Sequence, residues 1–147
     1  MKVAVTGGAG FIGSHLVDAL ISEGDNVIVI DDFSSGKSEN LNKKAIFERK
    51  DIRSDLSRDL EGVDTVFHLA ADPEVRSSAA NPKNSFDINV AGTFSVLEAC
   101  RKADVKRVIF ASTSTVYGEA EVIPTPETYP CAPISNYGAS KLACEAY

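Results

Sequence analysis

The segment NYGASKLACEAY, Asn136 to Tyr147, carries a tyrosine and a lysine four positions apart, Tyr137 and Lys141. On a helix both side chains lie on one face, about one turn apart. An ammonium held beside a phenol stabilises the phenolate and lowers the tyrosine from its reference pKa of about 10. A tyrosine so tuned takes a proton from a hydroxyl near neutral pH. The spacing alone is common and reads as a surface pair. The segment FASTSTVYG, Phe110 to Gly118, adds four consecutive hydroxyls, Ser112 to Thr115, behind an apolar run. A Ser or Thr there can hydrogen-bond a reacting hydroxyl or ketone and hold it against the tyrosine.

A second constellation stands at the other end of the chain. VAVTGGAGFIGSHL has glycines at 7, 10 and 13, behind a strand pattern and ahead of a helix pattern. In that context Gly7 permits a tight turn and Gly10 lets the backbone approach a pyrophosphate. Gly13 lets helix and strand pack closely, and the helix N-terminus receives the anion. Asp31 closes the next apolar run, VIVID, 18 residues after Gly13. An acid there accepts ribose hydroxyls and repels a 2′-phosphate, so NAD is favoured over NADP. Asp32 is its alternate, and both could simply begin a turn. Asp51 and Ile52, in KDIR, suit the adenine end of the pocket, although Asp51 reads equally well as a helix N-cap.

These residues need a scaffold, and the chain supplies strands alternating with helices. KVAVTG, NVIVID, AIFERKD, VDTVFHLAA and VKRVIFAST read as strands. FIGSHLVDALISEG reads as a helix closing at Gly24, and SNYGASKLACEAY as a capped helix. NSFDINVAGTFSVLEACRKAD reads as one long helix with Phe86, Val90, Phe94 and Leu97 at helical spacing. The order implies βαβ units, an α/β Rossmann-type doubly wound parallel sheet, with residues 1–147 as one dinucleotide-binding domain. Four of the six prolines fall between Glu119 and Ser135, which reads as a long functional loop. DPEVRSSAANPK reads as a polar loop in which Arg76 or Ser78 could touch a phosphate or a sugar acid, and SSGKSENLNKK as a mobile polar loop.

Composition narrows the partners. The net charge of -6 argues against nucleic acid and anionic membranes. No apolar stretch approaches the roughly 20 residues that span a bilayer. The three cysteines, Cys100, Cys131 and Cys144, form no CxxC pair and read as small buried hydrophobes in a reducing cytoplasm. His15 and His68 lack metal-ligand spacing and read as packed or surface residues, so no metal is expected.

Taken in order, TGGAGFIGSHL, VIVIDDFSSG, DIR, VFHLAA, NVAGTFSVLEA, STSTVYG and YGASK span almost the whole chain. Together they resemble the extended short-chain dehydrogenase/reductase family, in its NAD-dependent epimerase/dehydratase branch, and most of all nucleotide-sugar 4-epimerases of the UDP-glucose type. The resemblance implies Tyr137 as catalytic base and acid, Lys141 as its modulator and a ribose ligand, and Thr113 as the catalytic hydroxyl. It implies NAD contacts at Gly7, Gly10, Phe11, Ile12, Gly13, Asp31, Asp32, Asp51, Ile52, Leu69, Ala70, Ala71, Asn89, Tyr137 and Lys141. Dehydratases of the branch carry an Asp–Glu pair before VYG, and decarboxylases a Glu. Ser114 and Thr115 are neutral, which leaves an epimerase or a keto-sugar reductase ahead of both, with a non-catalytic dinucleotide-binding module behind them. The substrate implied is a nucleotide sugar, UDP-linked. Family members are about twice this long, so the fold is expected to stop before the C-terminal substrate domain that grips the sugar. A homodimer is expected of the full-length protein.

Overall fold

The computed structural model describes residues 1–147, all but Ser77 with their side chains. They divide into two compact units, Met1–Ala71 with Ser95–Ala111, and Asp72–Phe94 with Ser112–Tyr147.

The first unit holds a five-stranded, all-parallel sheet. Its strands are β1 (Lys2–Thr6), β2 (Asn26–Asp31), β3 (Ile46–Arg49), β4 (Thr65–His68) and β5 (Arg107–Phe110), in the order β3-β2-β1-β4-β5. That is the doubly wound order of a dinucleotide-binding sheet, with its crevice at the carboxyl ends of the strands. The central runs are apolar without alternation because both faces are covered. Ala4, Ile28, Ile30 and Val66 face a core completed by Leu56, Leu60, Val96, Ala99 and Cys100. Val5, Val27 and Val29 face the other way and pack with Val17, Leu16 and Leu20 of α1 (Phe11–Ser22). Each fully buried valine or leucine contributes about 1.5–3 kcal/mol of hydrophobic stabilisation. His68 is buried and its Nδ1 lies 2.6 Å from Thr6 Oγ1, so it is a packed residue as expected.

The second unit is helical. It contains α2 (Val75–Ala80), α3 (Pro82–Ser85), a π-helical turn at Phe86–Ala91, the start of α4 (Gly92–Lys102), a 3₁₀ turn at Ser114–Tyr117 and α5 (Asn136–Ala146). Asn81 caps α3 through Asn84 N–H, and Pro82 occupies its first turn, where a missing N–H does no harm. Ser135 caps α5 by accepting from Gly138 N–H.

Several expectations change here. DPEVRSSAANPK is not a plain loop, because Val75–Ala80 forms α2. The long helix is real but interrupted by the π turn, and its core face differs from the one its periodicity predicts. Val90 of the periodic set is buried, but Phe86 and Phe94 are more than half exposed, while Val96, Ala99 and Cys100 are buried. No helix follows Asp51, whose carboxylate instead accepts from Arg53 N–H at 2.8 Å in a turn. Cys100 and Cys144 are buried, but Cys131 is exposed, since it lies in the proline-rich loop. No helix among the described residues is long and apolar enough to cross a membrane.

Candidate functional site

In the first unit the glycine-rich turn is built by backbone contacts. Gly7 has φ 73°, and a Cβ there would lie 2.7 Å from Ala70 N and 3.0 Å from the Leu69 carbonyl carbon. The turn after β4, Leu69 to Ala71, therefore stands directly against the turn after β1. A Cβ on Gly13 would come 2.1 Å from Gly7 O, so the head of α1 presses on the turn as no other residue allows. Gly10 differs. It is the N-cap of α1, with extended backbone, and a Cβ there would meet only Gly7 O, at 3.2 Å.

The head of α1 fits an anion. The first N–H groups of a helix have no intrahelical partner and sit at the positive end of its dipole. Gly10 provides no side-chain cap, and the first turn holds no acid. Phe11 and Ile12, in that turn, are exposed. These features fit the pyrophosphate of a dinucleotide, held by backbone N–H groups of the glycine turn and α1.

Asp31 ends β2 and is buried. Its Oδ2 accepts from Ala9 N–H at 3.0 Å and its Oδ1 from Phe33 N–H at 2.8 Å. A carboxylate has about four lone-pair positions, so about two remain for ribose hydroxyls. Asp31 thus also shapes the turn. Asp32 is exposed and accepts from Ser34 N–H at 2.7 Å. The polar segment after it is anchored to the turn, because Lys37 N–H and Asn40 Nδ2 both donate to Ala9 O. Gly36 packs there as well; a Cβ on it would lie 2.9 Å from Asp31 Oδ1 and from Ala9 Cβ. Sequence reasoning missed Ala9 and Gly36, since backbone bonds leave no side-chain pattern. Asp51 is paired with Arg53, whose hydrogen bonds hold the carboxyl below its usual range, and the Ile52 side chain is in the core.

In the second unit α5 buries one face, formed by Tyr137, Ser140, Lys141 and Cys144. The tyrosine and lysine are therefore not a surface pair. Lys141 is 3% exposed. Burial pushes its ammonium below the ordinary lysine range, while Cys144 and Glu145 act the opposite way. Tyr137 is 9% exposed, its N–H donates to Ser78 Oγ at 3.3 Å, and its carbonyl accepts from Ser140 Oγ at 2.7 Å. Among the described residues no hydrogen bond takes up its phenol hydroxyl.

Asn89 lies in the π turn, fully buried, and ties this face together. Its Oδ1 accepts from Asp72 N–H at 2.8 Å, and its Nδ2 donates to Asp72 O at 3.1 Å and to Ser140 Oγ at 2.9 Å. Both amide hydrogens are spent inside the protein, and Cys144 Sγ donates to the Asn89 carbonyl at 3.1 Å. Ser78 is also committed, with its hydroxyl donating to Val75 O at 2.6 Å and its carbonyl accepting from Asn136 Nδ2. That buried position corrects its reading as a loop contact for a phosphate, whereas Arg76 is exposed.

The four hydroxyls have separate tasks. Ser112 donates to Glu145, and Ser114 is exposed. Thr113 caps the 3₁₀ turn by accepting from Thr115 N–H at 3.2 Å, and its Oγ1 lies 3.1 Å from Thr115 Oγ1. With Thr115 as the donor, Thr113 keeps its own O–H for an external acceptor. Gly138 lets the turn approach α5, since a Cβ there would lie 2.7 Å from Thr115 O.

Known proteins share this fold. The crystal structure of a UDP-galactose 4-epimerase matches with a TM-score of 0.94 at 52% identity, over 99% of this chain and 50% of that one. The UDP-glucose 4-epimerase of Thermotoga maritima, solved with UDP-glucose, matches with a TM-score of 0.96 at 46% identity, over 100% and 50%. That of Thermus thermophilus, solved with NAD, matches with a TM-score of 0.95 at 42% identity, over 100% and 49%. The chain spans about half the length of the curated relatives it matches. Residues 3–147 match a single family throughout. The chain belongs to the NAD dependent epimerase/dehydratase family.

Proposed function

We propose that the protein is an NAD-dependent nucleotide-sugar 4-epimerase, of the kind that interconverts UDP-glucose and UDP-galactose through a transient 4-keto sugar. The observation that carries the reading is Tyr137 on the buried face of α5, its hydroxyl without a hydrogen-bond partner among the described residues and Lys141 one turn away. Tyr137 removes the proton of the sugar 4-hydroxyl and returns it once the configuration has changed. Lys141, an ammonium held in a dry setting, favours the charge that forms on the phenol oxygen. The Thr113 hydroxyl donates to the 4-oxygen and orients it. NAD supplies the acceptor and donor for the C4 hydride, so no net oxidation results. Asp31 accepts the adenosine ribose hydroxyls, and the first turn of α1 holds the pyrophosphate.

The neutral Ser114 and Thr115 favour this reaction over dehydration, which needs an acid and a base besides Tyr137. Residues 1–147 supply the dinucleotide-binding half, and the parts that grip the nucleotide and sugar lie outside them. A homodimer of the full-length protein and a reducing compartment such as the cytoplasm complete the reading; the unpaired cysteines fit the latter. Incubation with NAD and UDP-galactose tests it. Formation of UDP-glucose with no net NADH absorbance is the expected result. Net NADH formation would instead mark a dehydrogenase, or a keto-sugar reductase running in its oxidative direction.

A further inference from the structure

Arg49 and Asp31 are register partners on the parallel strands β3 and β2. An arginine beside a carboxylate commonly closes into a bidentate pair. No ion pair among the described residues joins these two. Arg49 lies instead over the face of Phe33, with Cζ 5.4 Å from the ring centroid. The Phe33 ring is braced by Phe47, centroid to centroid 4.9 Å.

Phe33 reaches that position through unfavourable backbone. Its φ is 62°, in the left-handed region that bulky residues avoid. Two hydrogen bonds hold it there, Phe33 N–H to Asp31 Oδ1 at 2.8 Å and Ser34 N–H to Asp32 Oδ1 at 2.7 Å. Backbone outliers of this kind cluster at ligand clamps and persist where the surroundings over-determine them. Here the turn that strains Phe33 is the same one that leaves Asp31 about two lone-pair positions. An Arg49–Asp31 pair would occupy them. A guanidinium left loose beside Asp31 would also be the group that accommodates a 2′-phosphate.

We propose that Phe33 is a cofactor-specificity residue, whose ring parks the Arg49 guanidinium away from Asp31, so that the carboxylate stays open to ribose hydroxyls and no cation meets a 2′-phosphate. The proposal rests on the reading of Asp31 as the ribose acceptor. Calorimetric titration of the protein with NAD and with NADP tests both and needs no turnover. The unaltered protein prefers NAD. Phe33→Leu keeps the apolar contact with Phe47 but removes the aromatic face. It shifts the NADP-to-NAD affinity ratio toward NADP by roughly two- to fivefold, the strength of an exposed cation–π contact. Phe33→Trp keeps the original preference, and the Phe33→Leu/Arg49→Ala double variant loses the shift. An unchanged ratio in Phe33→Leu, or the same shift in the double variant, would overturn the role of Phe33 alone. Equal NAD and NADP affinity in the unaltered protein would overturn the Asp31 reading and the proposal with it.

Discussion

Two glycines three residues apart should respond to the same added methyl in opposite ways. A Cβ at Gly13 would lie 2.1 Å from Gly7 O and 2.8 Å from Gly8 Cα. Ordinary van der Waals contact begins near 3.4 Å, so Gly13→Ala must open a gap of about 1.3 Å between α1 and the β1 turn. That is close to the rise of one helical residue, about 1.5 Å. Overpacking of this size costs about 1–3 kcal/mol. In a chain of this length each kcal/mol lowers the melting temperature by about 2–4 °C, so the loss is about 2–12 °C. At Gly10 the single close contact is 3.2 Å and the backbone is extended. Gly10→Ala should therefore melt within about 2 °C of the parent. Its methyl instead enters the space read as the pyrophosphate cradle. Losing one or two charge-assisted hydrogen bonds there lowers NAD affinity by roughly tenfold or more. Thermal melts and NAD titrations of both variants separate the effects. Parental NAD affinity in Gly10→Ala, or a parental melting temperature in Gly13→Ala, would refute the reasoning.

Lys141→Met should lose turnover, because it removes the ammonium one helical turn from Tyr137. Burial lowers the folded-state value of Lys141, so the unfolded chain binds this proton more readily and stability rises with pH between the folded value and about 10.5. Melts across alkaline pH should show that rise in the parent and a flatter profile in the variant. Asn89→Ala takes the side-chain partner from Asp72 N–H and Asp72 O and removes one of the two hydrogen bonds of the Ser140 hydroxyl, which still donates to Tyr137 O; a loss of about 3 kcal/mol is expected, read as a melting temperature lower by about 6–12 °C. Under native conditions at pH 8, Cys131 alone should react quickly with a thiol reagent. Cys144 is buried, and burial pushes the Cys100 thiol up to about 11. Rapid labelling of more than one thiol would show that the cores around Cys100 and Cys144 open readily.

The strands were legible because a parallel sheet covered on both faces demands unbroken apolar runs, and VAV and VIVI supply them. The glycine turn and Asp31 were legible because their spacing follows from close backbone approach. The face of the 82–102 helix was not. Helical periodicity assumes 3.6 residues per turn, and the π turn at Phe86–Ala91 inserts an extra residue, which rotates the remainder of the helix by about 100°. Phe94 is therefore more than half exposed. α2 was hidden because VRSSAA has no apolar stripe. The committed hydrogen bonds of Asn89 and Ser78 could not be read from residue type, since a buried polar hub and a ligand contact look alike in sequence.

Kinetic and binding measurements on Tyr137→Phe, in the full-length protein, test the central claim most directly. The substitution removes one hydroxyl and keeps the ring that packs on the buried face of α5. If Tyr137 carries the proton of the 4-hydroxyl, turnover between UDP-galactose and UDP-glucose falls by roughly 10²–10⁴-fold, while NAD affinity stays within about twofold. Near-normal turnover in the variant would contradict the account.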